Sequence, residues 1–130
     1  MTDKSSTVAD VMRPATTTVD RNDHLAGAAY LMKRAGSSAL VIVDDESNKP
    51  LGLVTEADIV HAIGDGKNPN NLRIYNLMTS DPTVITVSMT VREAAEKMLD
   101  GHFRHLPVID DGGLVGMVDI VDVCRALLSS

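Results

Sequence analysis

The same succession of residues runs through this chain twice. Val11-Met12 opens a stretch that closes at Gly52-Leu53-Val54-Thr55-Glu56-Ala57-Asp58, and Leu77-Met78 opens a second that closes at Gly116-Met117-Val118-Asp119-Ile120-Val121-Asp122. A repeat of this length is a supersecondary unit that needs its twin to bury an apolar face. The offset between the copies is uneven: Met12 to Met78 is 66 residues, Thr18 to Thr86 is 68, and Gly52 to Gly116 is 64. These changes fall between elements, so the elements are kept while their connections vary.

Within the first copy, Leu25, Ala28, Ala29 and Met32 are spaced i, i+3, i+4, i+7, the signature of one face of an amphipathic helix; Val91, Ala94, Ala95 and Met98 repeat it. Gly36 is placed to end the first helix in a left-handed conformation, and Thr90 with Glu93 makes a capping box at the start of the second. Short apolar runs follow, Ala39 to Val43 and Leu106 to Ile109, closed by Asp44-Asp45 and Asp110-Asp111. These predict buried strands ending in turns. Second strands are expected over Leu51 to Val54 and Leu114 to Val118, with a new helix beginning at Thr55 or Asp119. An extended piece, Thr16 to Val19 or Thr83 to Val87, leads into each copy. Gly64 to Asn71 has linker composition. The expected division is therefore 8–63, a linker over 64–73, and 74–128, together one compact module of mixed α/β class.

Composition narrows the function. With one Phe, two Tyr and no Trp in 130 residues, the core must be aliphatic and there is no aromatic platform for stacking nucleic-acid bases. The net charge of −6 and the lack of any Lys/Arg run argue against a phosphate-backbone partner. No apolar run approaches the ~20 residues of a membrane helix, the first residues lack the apolar stretch of a signal peptide, and the lone Cys124 has no internal partner. A cytoplasmic protein without nucleic-acid or membrane partners is the expectation. Beyond His102 and His105 the four His show no close metal-ligand pairing, and Cys124 has no evident base, so neither a metal centre nor an enzyme is expected. The seven Met fall on helix faces and strands, where they fill core.

The order Val11-Met12, Thr18-Val19, an Ala-Ala helix, Leu106-Pro107-Val108-Ile109-Asp110 and a closing Gly-x-x-Thr-x-x-Asp run resembles the cystathionine-β-synthase (CBS) domain, here as a tandem pair covering roughly residues 8 to 128. The resemblance implies two α/β repeats related by a pseudo-twofold axis, packed sheet to sheet, with two related clefts. It implies a regulatory module that binds an adenosyl ligand (AMP, ADP, ATP or S-adenosylmethionine), forms flat homodimers and signals to an effector protein. It implies that the last Asp of each closing run, Asp58 and Asp122, holds ribose hydroxyls, with Thr55 facing ribose or phosphate. Thr18, Val41 and Pro107 complete the ligand-facing positions carried over. Arg104 and His105, which stand just before the strand of the second copy, would reach toward the phosphate of a nucleotide held by the first. Asp119 departs from the family pattern, standing where Thr is expected.

The chemistry of these positions can be argued from the residues. A carboxylate accepts two hydrogen bonds from a cis-diol, and a helix N-terminus presents free N–H groups to oxyanions. Thr55-x-x-Asp58 is equally a capping box that serves only to start a helix, and Asp119 is as good an N-cap as Thr. A second carboxylate at Asp119 repels a phosphate, so the Asp119–Asp122 cleft is expected to be empty or to take a ligand that is uncharged or cationic there. Arg104 offers a rigid donor fork and His105 a chargeable ring, or else both are surface and packing residues, as His102 is expected to be. The rival function is a ligand-free dimerisation or interaction scaffold whose clefts are vestigial and whose helix faces, around Lys33-Arg34 or Arg92 to Lys97, dock a partner.

Overall fold

The computed structural model describes residues 6–15 and 17–129; Thr16, part of the expected lead-in, lies outside the described residues. The elements run α1 (Val8–Val11), β1 (Arg13–Pro14), β2 (Thr18–Val19), α2 (Leu25–Ala35), β3 (Ala39–Val43), β4 (Pro50–Thr55), α3 (Glu56–Gly64), a 3-10 turn (Ile74–Asn76), β5 (Thr79–Ser80), β6 (Ile85–Thr86), α4 (Val91–Gly101), β7 (His105–Asp110), β8 (Gly113–Asp119) and α5 (Ile120–Leu128). They form two four-stranded sheets, ordered β2-β3-β4-β5 and β1-β8-β7-β6. The expected mixed α/β class and the helix, strand, strand, helix order of each copy are both present.

The chain divides into two compact units, one spanning Thr17–Pro82 and the other joining the N-terminal segment to residues 83–129. The units cut across the sequence repeats, because each repeat gives its leading segment to the other repeat's sheet. β1 pairs antiparallel with β8, Arg13 opposite Met117. In the same way β5 pairs with β4, Thr79 opposite Leu53. The segment of linker composition is part of this arrangement: Leu25 N–H donates to the Leu72 carbonyl at 2.8 Å and Ala26 N–H to that of Pro69 at 3.2 Å, occupying N–H groups that the first turn of α2 leaves free. Ser6 does the same for α4, accepting from Val91 N–H at 3.0 Å.

In the 17–82 unit, Leu25, Ala28 and Met32 turn one face of α2 onto Leu40 and Ile42 of β3, with Val54, Ile59 and Ile74 completing a buried cluster. In the other unit Val91, Ala94 and Met98 of α4 pack with Leu106, Val108, Val118 and Val123. Each of the Val, Leu, Ile and Met side chains among these contributes about 1.5–3 kcal/mol by leaving water. Thus the helical faces read from spacing are the buried faces. Gly36 ends α2 at φ 66°. The matching residue after α4 is His102, at φ 57°.

Two glycines let the exchanged strands approach. A Cβ on Gly116 would lie 2.6 Å from Met12 Sδ and 2.9 Å from the Arg13 carbonyl oxygen; on Gly52 it would lie 2.7 Å from Met78 Sδ and 3.2 Å from the Thr79 carbonyl oxygen. The bare backbone at these positions holds β1 and β5 against their sheets, and so fixes where Arg13 and Thr79 stand.

Candidate functional site

Each unit builds the same corner, where a central hairpin strand runs into a helix. In the 17–82 unit Ala39 lies opposite Thr55 and Val41 opposite Leu53. Thr18 pairs with Val41 from the parallel neighbour β2. Glu56 N–H donates to the Ser38 carbonyl at 2.9 Å, fastening the start of α3 to the start of β3. In the other unit His105 lies opposite Asp119 and Pro107 opposite Met117. There Ile120 N–H donates to the Arg104 carbonyl at 2.9 Å. The registers coincide, so Thr55 matches Asp119, Asp58 matches Asp122, and Ser38-Ala39 matches Arg104-His105.

Thr55 caps α3. Its N–H and Oγ1 donate to Asp58 Oδ2 at 2.8 and 3.1 Å, while Asp58 N–H donates to Thr55 Oγ1 at 3.3 Å. The capping-box interpretation of Thr55-x-x-Asp58 is therefore realised, and it uses one carboxylate oxygen. Among the described residues Oδ1 of Asp58 takes part in no hydrogen bond or ion pair, and the side chain is only half-buried. Thr18 is exposed at the end of β2. Val41 is buried, 2% exposed, yet it alternates with Leu40 and Ile42 and lies on the sheet face away from the α2 and α3 core.

Asp119 caps α5 in the same way: Asp122 N–H donates to Asp119 Oδ1 at 2.8 Å and Asp119 N–H to Asp122 Oδ2 at 3.3 Å. Here the remaining oxygen is taken. Arg13 Nε and Nη2 donate to Asp122 Oδ1 at 3.4 and 3.3 Å. Arg13 Nη2 also lies 4.0 Å from Asp119 Oδ2, and Arg125 Nη1 lies 3.8 Å from Asp122 Oδ1. Asp122 is 7% exposed, so a guanidinium partner offsets the cost of burying its charge. The hydrogen bond to Asp122, reinforced by the charges of Asp122 and Asp119, raises the Arg13 guanidinium above its ordinary value.

This alters the electrostatics expected at the second corner. The repulsion argued from sequence left out any cation at this corner, whereas Arg13 lies against both Asp122 and Asp119 and Arg125 against Asp122. Arg13 was missed because 109 residues separate it from Asp122. One signal was available: at the Met12–Met78 offset, Arg13 stands opposite Thr79, so the copies differ there in charge.

Arg104 is exposed, His105 is half-buried at the start of β7, and Pro107 is buried within that strand. All three belong to the unit that holds Asp119 and Asp122, while Thr18, Val41, Thr55 and Asp58 belong to the other. His102 is an exposed helix-terminal residue. Among the described residues, no group of three or more His, Cys, Asp or Glu side chains is arranged to hold a metal ion, and no helix is long and apolar enough to cross a membrane.

The model of the CBS domain matches residues 8–65 and again 74–129. The chain belongs to the CBS-domain family. An uncharacterised protein of Methanopyrus kandleri is 33% identical to this CBS pair over 124 residues, 94% of this chain and 63% of that protein. The pair spans a little under two-thirds of the length of the curated relatives it matches first, 63% and 66%. Among solved structures, CBSX2 in complex with AMP is 28% identical, with a TM-score of 0.77 over 95% of this chain and 97% of that one. The CBS domain pair of MJ0100, in complex with 5'-methylthioadenosine and S-adenosyl-L-methionine, is 27% identical, with a TM-score of 0.87 over 97% and 98%.

Proposed function

We propose that this CBS pair is a regulatory module that binds an adenosyl ligand, AMP, ADP, ATP or S-adenosylmethionine, at the Thr55–Asp58 corner and passes the bound state to a protein partner. The observation that carries the proposal is the half-used carboxylate of Asp58. One oxygen fixes the side chain against the helix start, and the other is left to accept hydrogen bonds from a ribose diol. Thr55 is locked by the same cap, so the group arrives preorganised, which limits the entropy lost on binding. Thr18, exposed beside Val41, adds a hydroxyl on the neighbouring strand. The adenosyl ligands of CBSX2 and MJ0100, two proteins of the same fold, support this ligand class.

Calorimetric titration of AMP, ATP and S-adenosylmethionine into wild type and Asp58→Asn tests it. The amide can still accept at the cap but presents no second anionic oxygen, and at least an about ten-fold loss of affinity is expected. Thr90→Ala breaks a cap in the other unit and serves as the control for a merely weakened helix. Equal affinity in wild type and Asp58→Asn for every ligand tested refutes the proposal.

A second observation favours self-association as part of the same function. Ile63 on α3 and Leu127 on α5 occupy matching positions and are 56% and 41% exposed, beside Val60 and Leu128. An apolar position exposed at the same place in each unit suits burial against a second copy of the chain. Light scattering on wild type and the Ile63→Glu, Leu127→Glu double variant distinguishes the two states, the variant being expected as monomer.

A further inference from the structure

We infer that Arg13 is a built-in stopper for the carboxylate of Asp122, and that it restricts this duplicated chain to one ligand-binding corner instead of two. The inference rests on the proposal that Asp58 holds the ligand, and it concerns the corner that the repeat would otherwise make equivalent.

The two carboxylates are placed alike but occupied differently. Asp58 spends Oδ2 on its cap and keeps Oδ1. Asp122 spends Oδ2 on its cap and gives Oδ1 to Arg13 Nε and Nη2, while Arg125 Nη1, solvent-exposed and 3.8 Å from the same oxygen, stands beyond hydrogen-bond distance and leaves it open to a diol once Arg13 is gone. A diol needs an acceptor oxygen with room beside it, and a guanidinium fork already fills that place. The arginine is also held there by the backbone. β1 fixes Arg13 opposite Met117, and Met12 lies against Gly116. Loss of the proton is no way out, because a guanidinium remains charged throughout the accessible pH range.

The other unit shows the same corner without the stopper. Thr79 is opposite Leu53 as Arg13 is opposite Met117. The threonine side chain is short, carries no charge and makes no hydrogen bond to Asp58 among the described residues. Selectivity between the corners is thus set on the exchanged edge strands, by Arg13 or Thr79, more than by Thr55 or Asp119 in the closing runs.

Exchanging the two residues tests the inference, with AMP as the probe and calorimetric stoichiometry as the readout. Wild type is expected to take one equivalent per chain, removed by Asp58→Asn. Arg13→Thr is expected to take two, of which one survives when Asp58→Asn is added. Thr79→Arg, a substitution at an exposed edge position that leaves the Asp122 corner untouched, is expected to weaken AMP binding about ten-fold or more by closing the Asp58 corner. If Arg13→Thr stays at one Asp58-dependent equivalent and Thr79→Arg binds as wild type does, the stopper is refuted while the proposed function stands. Loss of AMP binding in Arg13→Thr, with Thr79→Arg unaffected, also refutes it, since Arg13 would then be a ligand contact. Wild-type binding indifferent to Asp58→Asn removes the proposed function and this inference together.

Discussion

Arg13 Nη2 lies 3.3 Å from Asp122 Oδ1, a contact that joins the first turn of the last helix to a strand near the start of the chain. Arg13 is 56% exposed on its side chain and Asp122 only 7%. The pair therefore has a solvated cation and a buried anion, and removing the cation strands the costlier half. Arg13→Ala is expected to lower stability by about 1 kcal/mol, since solvent and Arg125 recover part of the loss. Chemical denaturation at low and high salt checks this: the wild-type midpoint should fall with salt more than that of the variant.

The same edge strand gives a sharper prediction from two glycines. In Gly116→Ala the new methyl meets the Arg13 carbonyl at 2.9 Å, a backbone atom held by the β1–β8 ladder. In Gly52→Ala the closest backbone atom is 3.2 Å away, and the nearer atom, Met78 Sδ, belongs to a flexible side chain. Overpacking costs about 1–3 kcal/mol where the surroundings cannot give, so Gly116→Ala should be the more damaging variant by about 1 kcal/mol. Equal unfolding midpoints for the two would show that β1 is as free to shift as a methionine tip.

Much of this fold was legible because its signals are local. Leu25, Ala28 and Met32 lie within two helical turns, Thr90 and Glu93 within one, and their buried or capped roles follow from spacing alone. The exchange of leading segments was not legible, because Arg13 meets Met117 and Thr79 meets Leu53 only after the chain has folded. The candidate site divides in the same way. Thr55, Asp58, Asp119 and Asp122 are found by their place in the closing run, whereas Arg13 lies outside every motif and acts across the sheet. The pairing of Asp119 and Asp122 with Arg13 could not be read from the closing run for that reason.

Glu93 carries a pH dependence whose sign can be worked out. Hydrogen bonds from the Thr90 N–H and then its hydroxyl hold the Glu93 carboxyl below its ordinary value. The unfolded chain therefore binds this proton at a higher pH than the folded one does. The stabilisation is fully present above the ordinary glutamate value and is lost as pH falls through the lowered folded value. Glu93→Gln keeps an oxygen at the cap but removes the titration, so its unfolding midpoint should fall less steeply than that of wild type on the acid side. Superimposable pH profiles would remove Glu93 from the account. Thr90→Ala should cost about 1 kcal/mol at neutral pH by deleting the cap itself.

His102 ends α4 at φ 57°, in the conformation that Gly36 adopts at the end of α2. A side chain with a Cβ is strained there, and glycine is not. Gly101 stands one residue too early to relieve it, and the Phe103 ring occupies the place that a Cβ there would take. The histidine is exposed, so its replacement removes little packing. His102→Gly should therefore stabilise the protein by about 0.5–1 kcal/mol, the relief of strain exceeding the added freedom of the unfolded chain. Thermal and denaturant unfolding of wild type, His102→Gly and His102→Ala decide it. The expected order of stability is glycine, then histidine and alanine together; histidine above glycine would mean that its ring makes a contact worth more than the strain.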